Sequence, residues 1–152
     1  MFIQPCFIRK NTPELRKKLE ELGYNRHPSY GDNGQYLYLN RGFYHTNVIG
    51  YTEEIERMID CGINEELFLA LAAMRDDTDI NRWFKDLETN ELFICTKHSI
   101  YDMATAEDLE KYGDWIGIGM CKYQIATTEE IIEHFGNIKI NNGNNILFTW
   151  NT

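Results

Sequence analysis

Positive charge is scarce in this chain: 15 lysines and arginines stand against 24 aspartates and glutamates, for a net charge of -9. A surface with that balance repels phosphate backbones and anionic lipid headgroups, so nucleic acid is disfavoured as a partner and no membrane association is expected. No apolar run approaches the about 20 residues a membrane-spanning helix needs. The opening MFIQPCFIRK lacks the charged start, long apolar middle and small-residue cleavage site of a signal peptide, and a cytoplasmic location is expected. Cysteine is also sparse. Cys6, Cys61, Cys95 and Cys121 are widely separated and each adjoins an apolar segment, a pattern of buried free thiols in a reducing compartment rather than a disulfide framework. Missing as well is any local signature of nucleophilic catalysis around His27, His45, His98 or His134.

What the chain does have is core material. Hydrophobic residues make up 43% of its 152 positions and aromatics 13%, enough for one globular domain over residues 1–152. The organising stretch is Ile63 to Phe84. From Leu67 to Met74 every residue is apolar, which leaves no solvated stripe and predicts a helix near 65–75 buried almost all round. Asn64 stands at the N-cap, and Glu65 and Glu66 follow in the first turn, where carboxylates favour the positive end of the helix dipole. The charged run RDDTD ends the apolar stretch. Thr78 or Asp79 is then expected to cap a second short helix carrying Trp83 and Phe84.

The other elements follow in order. Phe2 to Arg9 reads as a strand, and Asn11 or Thr12 with Pro13 and Glu14 opens an amphipathic helix whose Leu15, Leu19 and Leu22 share one face until Gly23 stops it. RHPSYGDNGQ reads as a long loop. Gln35 to Asn40 and Phe43 to Tyr51 form a hairpin through Asn40-Arg41-Gly42, and Glu54 to Cys61, whose IERMI satisfies either period, reads as a strand with a short helix as the alternative. Leu92 to Cys95 is apolar on both faces and is expected in the middle of a sheet. Thr105 with Asp108, and Thr127 with Glu130, have capping-box spacing; their helices close at Gly113 and Gly136. Between them, Trp115 to Ile125 reads as a strand whose Gly117 and Gly119 let a neighbour approach. Ile138–Ile140 and Ile146–Trp150 make a terminal hairpin around NNGNN.

Three times a cysteine-bearing strand precedes a capped acidic helix start, at Cys6, Cys61 and Cys121, which points to loosely repeated strand-helix-strand units. With antiparallel hairpins at 36–51 and 138–150, the expected class is α+β, with mixed α/β as the alternative: a single mixed sheet with helices packed on it.

Two metal patterns fail on chemistry. Cys95-Thr-Lys-His98 has the spacing of a zinc half-site but lacks a second close pair. Asp77, Asp79, Asn81 and Glu88 match the oxygen positions of a calcium loop, yet Arg82 stands where that loop needs glycine. No metal and no cofactor is expected. Gly117-Ile-Gly119 does not open directly into a helix on this reading, which removes the case for phosphate binding.

The stretches CFIRKNTPELRKKLEELGY and IDCGINEELFLALAAMRDDTD, with RWF close behind, cover a little over a quarter of the chain. In these the sequence resembles a group of small proteins of phages and mobile elements of gut bacteria. No activity is known for that group, so the resemblance implies a setting and no catalytic residues. The functional expectation is a noncatalytic acidic protein-interaction module, an accessory or host-directed factor of a mobile element. Its candidate binding residues are Tyr36 and Tyr38 on one face of the first hairpin, and Asp76, Asp77 and Asp79 at the acidic elbow. The alternative is a small enzyme or ligand-binding protein with a cleft at Cys95, His98 and Cys121.

Overall fold

In a computed structural model of the chain, which describes residues 5–28, 34–40, 43–45, 58–75, 77–141 and 145–149, short helices and short strands are combined in an α+β arrangement. Strand β1 (Cys6–Ile8) leads into helix α1 (Pro13–Glu21), which Thr12 caps by accepting from the Leu15 amide with Pro13 in the first turn. Then come β2 (Asn25–Arg26), the antiparallel pair β3 (Leu37–Asn40) and β4 (Phe43–His45), and β5 (Ile59–Asp60). These five form one mixed sheet in the order β2-β4-β3-β1-β5. Of the sequence-expected strands, Phe2 to Gln4, residues 46–51 and residues 54–57 lie outside the described residues, as does the Arg41-Gly42 connection.

The central helix α2 (Glu65–Ala72) stands where the apolar run predicts it, with the Asn64 side chain accepting from the Leu67 amide. Leu67, Phe68 and Leu71 are fully buried together with Leu15 and Leu19 of α1 and Leu37, Leu39 and Tyr44 of the sheet, so α1 and α2 lie on one sheet face and build the main core. Leu69 departs from expectation: it is only half-buried, packed against the margin of this core.

A second, antiparallel sheet, ordered β7-β6-β8, is made of β6 (Trp83–Asp86), β7 (Leu92–Ile94) and β8 (Tyr123–Ile125). Trp83 and Phe84 therefore lie in a strand rather than a capped helix. Asn81, at φ 64, is in the left-handed region that a continuing helix does not tolerate, and the Asp79 carboxylate is engaged elsewhere, accepting from the Ile100 amide at 2.8 Å. Strand β7 is an edge and not a central strand. It is apolar on both faces because each face meets a core: Leu92 packs on the main one, and Phe93 on a smaller one around Phe84, Cys95 and Ile100. The expected single sheet is thus divided, with β6 to β8 interposed between two apolar clusters.

After a 3-10 turn (Ile100–Met103), α3 (Ala106–Tyr112) carries the predicted Thr105–Asp108 capping box. The expected strand from Trp115 is instead helix α4 (Trp115–Cys121), capped by Asp114, and only Tyr123–Ile125 is extended. WIGIG satisfies either period, and the cap decides it. The close neighbour at Gly119 is Tyr101, whose Cε1 would lie 2.1 Å from an added Cβ. Helix α5 (Thr128–Phe135) has the Thr127–Glu130 box, and β9 (Asn137–Asn141) and β10 (Asn145–Thr149) form the terminal antiparallel pair as a separate two-stranded sheet. Of the three cysteine-bearing strands expected in the loose repeat, β1 holds Cys6 and pairs in parallel with β5, which ends just before Cys61, whereas Cys121 lies in helix α4 and not in a strand. Among the described residues no helix is long and apolar enough to cross a membrane.

Candidate functional site

Side-chain alternation on β6 sends Phe84 into the smaller core and turns Trp83 and Lys85 toward the layer of α1, α2 and α5. Register brings Ile94 opposite Trp83 and Leu92 opposite Lys85, so these four side chains share one face of the β6–β7 pair. Two clefts open along the seam where this face meets the helices. The first, of about 490 Å³, is lined by Leu22 of the α1 end, Leu69 and Ala70 of α2, Trp83, Ile94 and Phe135. The second, of about 580 Å³, lies beside Lys85 and Leu92 and is lined by Glu91, Glu130, Glu133 and His134. Volumes of this size suit a small molecule or a few side chains of a peptide.

The apolar wall is fixed from behind. The Asn64 amide that caps α2 through its oxygen also donates from Nδ2 to the Phe135 carbonyl at 2.8 Å, so the start of α2 holds the end of α5. Phe135 meets Trp83 edge to face, with centroids 4.9 Å apart at 84°, and His134 lies 5.5 Å from the same indole. Leu69 owes its half-exposure to this cleft. Three exposed charged residues, Lys18, Glu21 and Glu66, line the apolar cleft as well. In the second cleft Lys85 Nζ sits 3.1 Å from Glu130. The Glu130 carboxylate is held below its usual range first by the Thr127 amide it caps and then by Lys85, while partial burial opposes both.

Alternation separates Tyr36 and Tyr38 from Leu37 and Leu39 without saying which pair faces outward. Leu37 and Leu39 are buried and Tyr36 and Tyr38 are half-exposed on the opposite side. There Tyr38 stacks on His45 with centroids 4.3 Å apart at 7°, and His45 stacks on His27 at 4.7 Å. The Arg9 guanidinium lies 5.6 Å from the Tyr36 ring centroid. This is a layered aromatic surface already in contact with itself, with Phe43 exposed at its margin. Burial, and then His27, pushes His45 down to about 4.

At the acidic elbow, Asp76 lies outside the described residues. Asp77 accepts two hydrogen bonds from the buried Arg75, and Asp79 accepts from Ile100 and lies 3.8 Å from Arg82, so both serve the fold here. The buried Cys95 thiol donates to the Lys97 carbonyl at 3.3 Å, and burial raises its pKa. His98 and Cys121 are exposed, and among the described residues no hydrogen bond joins the three. No group of three or more His, Cys, Asp or Glu placed to hold a metal occurs among the described residues.

Sequence reading missed the seam because its lining runs from Lys18 to Phe135 and no local motif links them. Trp83-Phe-Lys-Asp86, two apolar residues followed by two charged ones, lacks the apolar/polar alternation that marks a half-buried strand, so the sequence carries no local signal for this face. None of the family models, curated proteins or solved structures compared with the chain matches it.

Proposed function

We propose that the chain is a noncatalytic protein-interaction module whose working surface is the seam between α1, α2 and α5 and the β6–β7 face, where it takes up a segment of a partner protein. The observation that carries this reading is the apolar cleft walled by Leu69, Trp83 and Phe135, with a polar cleft beside Lys85 on the same strand. Interfaces are anchored by a few aromatic and apolar side chains seated in such recesses, with charged groups at the rim. Trp83 is half-exposed here and Ile94 is 37% exposed, so apolar area remains for a partner to cover. Each Å² covered contributes roughly 25 cal/mol. A binding role is favoured over the Cys/His alternative because the Cys95 thiol is turned into the smaller core. An accessory role in a mobile element is the setting that the sequence resemblance supplies.

Photo-crosslinking tests the proposal. A benzophenone side chain at Ile94 or Leu22 in cells of the natural host should give one adduct of defined mass. The same group at Glu110, on the exposed side of α3, should not. Equal adducts at all three positions would reject the seam as the binding surface.

A further inference from the structure

We infer that the segment taken up in the seam is cationic and amphipathic: an apolar or aromatic side chain seats between Leu69, Trp83 and Phe135, and a lysine or arginine close along the segment meets Glu91 and Glu133. The inference rests on the seam being the binding surface and adds the chemistry of the occupant.

Geometry supplies the spacing. Trp83 and Lys85 are two residues apart on one face of β6, a rise of about 7 Å, and Ile94 and Leu92 repeat that step on β7. An extended occupant with its anchor over Trp83 therefore presents its next same-side group at the level of the second cleft. His134 lines the second cleft, and its ring is 5.5 Å from that of Trp83, which lines the first.

Charge supplies the sign. The two clefts are bordered by the five carboxylates Glu21, Glu66, Glu91, Glu130 and Glu133 and by the two ammonium groups of Lys18 and Lys85. Lys85 is already matched by Glu130 at 3.1 Å. Glu91 and Glu133 are exposed and have no ion pair among the described residues, so two carboxylates are left facing the polar cleft. Desolvating them against an acidic segment costs free energy, and against a cation the loss is offset by charge-assisted hydrogen bonds. The indole face of Trp83 offers a further site for a guanidinium. The net charge of -9 draws such a segment in from solution.

Three fluorescein-labelled peptides test this by anisotropy on the full chain: GSWLKKSG, its charge-reversed form GSWLEESG, and GSGSKKSG without the anchor. The cationic anchored peptide should bind at least about tenfold tighter than either control, a difference of about 1.4 kcal/mol. In the double variant Glu91→Gln/Glu133→Gln, which touches no capping residue, the ratio over GSWLEESG should fall to within about twofold. Ile94→Trp fills the apolar cleft from an exposed edge and should abolish binding, with an unchanged melting temperature showing that the fold is kept. Equal binding of the two charged peptides, a preference that survives in the double variant, or no binding at about 1 mM would each overturn the inference. If Ile94→Trp also leaves the partner adduct at Leu22 intact, the seam itself is wrong; if it removes that adduct while peptide charge has no effect, only the cationic assignment fails.

Discussion

Arg75 Nη1 donates a 2.7 Å hydrogen bond to the Leu22 carbonyl and so joins the C-terminal ends of α2 and α1, which together form one wall of the apolar cleft. Its other nitrogens hold both Asp77 oxygens, at 2.9 and 2.7 Å, and its guanidinium lies 5.1 Å from the Tyr24 ring centroid. Tyr24 in turn donates to the Ala72 carbonyl at 2.6 Å. A buried charge held by a bidentate carboxylate and a helix-end carbonyl fixes the angle between two helices in a way that apolar packing alone does not.

Gly23 is required by that junction. Its φ is +99°, and an added Cβ would come within 2.4 Å of Arg75 Nη1. Gly23→Ala should destabilise the protein by about 1–3 kcal/mol in urea unfolding, from left-handed backbone strain together with displacement of the guanidinium. A change below about 0.5 kcal/mol would mean the junction is dispensable.

The two leucines of the central helix should respond differently. Leu71 is fully buried in the main core, and Leu71→Ala should cost about 2–5 kcal/mol because the cavity cannot fully collapse. Leu69 borders the cleft, where solvent fills the space left, and Leu69→Ala should cost about 1 kcal/mol or less. Equal losses at the two sites, read from denaturant midpoints at constant slope, would place Leu69 in the core.

His45 makes stability depend on pH. Its pKa is about 4 in the fold against an ordinary 6.5, so as pH falls below 6.5 the unfolded chain binds a proton that the folded chain does not. The stability contributed by neutral His45 is complete above about 6.5 and is lost as pH falls through about 4, a loss of about 1–3 kcal/mol. His45→Phe keeps a stacking ring between Tyr38 and His27 and should flatten this part of the curve relative to the unmodified protein. Parallel curves for the two proteins between pH 7 and pH 4 would show that His45 is not buried in the neutral form.

Tyr36→Ser with Tyr38→Ser separates the hairpin from the seam. Loss of the Tyr38–His45 stack and of the contact between Arg9 and Tyr36 should cost about 1–2 kcal/mol while partner binding is retained. Binding lost at full stability would move the interface to the hairpin.

Caps made the helices legible. Thr12-Pro13, Asn64, Thr105 with Asp108 and Thr127 with Glu130 act within three or four residues, and all four stand where the sequence puts them. Trp83–Phe84 departs from expectation because Asp79, one of the two expected caps, accepts from the Ile100 amide instead, and Trp115–Cys121 because its apolar spacing satisfies both periods. The deciding residues were Asn81, at positive φ, and Asp114, a cap that the glycine pattern obscured. The α+β class was legible from the hairpins. The seam was not, since it exists only where β6 and β7 meet α1, α2 and α5, and a strand face bordered by distant helices leaves no spacing to read. Alternation set Tyr36 and Tyr38 opposite Leu37 and Leu39 but did not say which pair faces outward, and the stacking on His45 and His27 depends on the pairing of β2 with β4.

The tryptophans allow the central claim to be tested in one spectrum. The chain has three, and Trp83 lines the seam while Trp115 is 46% exposed at the start of α4, on a rival apolar surface. In a 1H–15N correlation spectrum the indole N–H of Trp83 can be assigned by its loss in Trp83→Phe. On adding the binding segment of the crosslinked partner, the Trp83 resonance should shift and saturate while that of Trp115 stays in place. A shift at Trp115 with Trp83 unmoved would contradict the account and place the interface on α4.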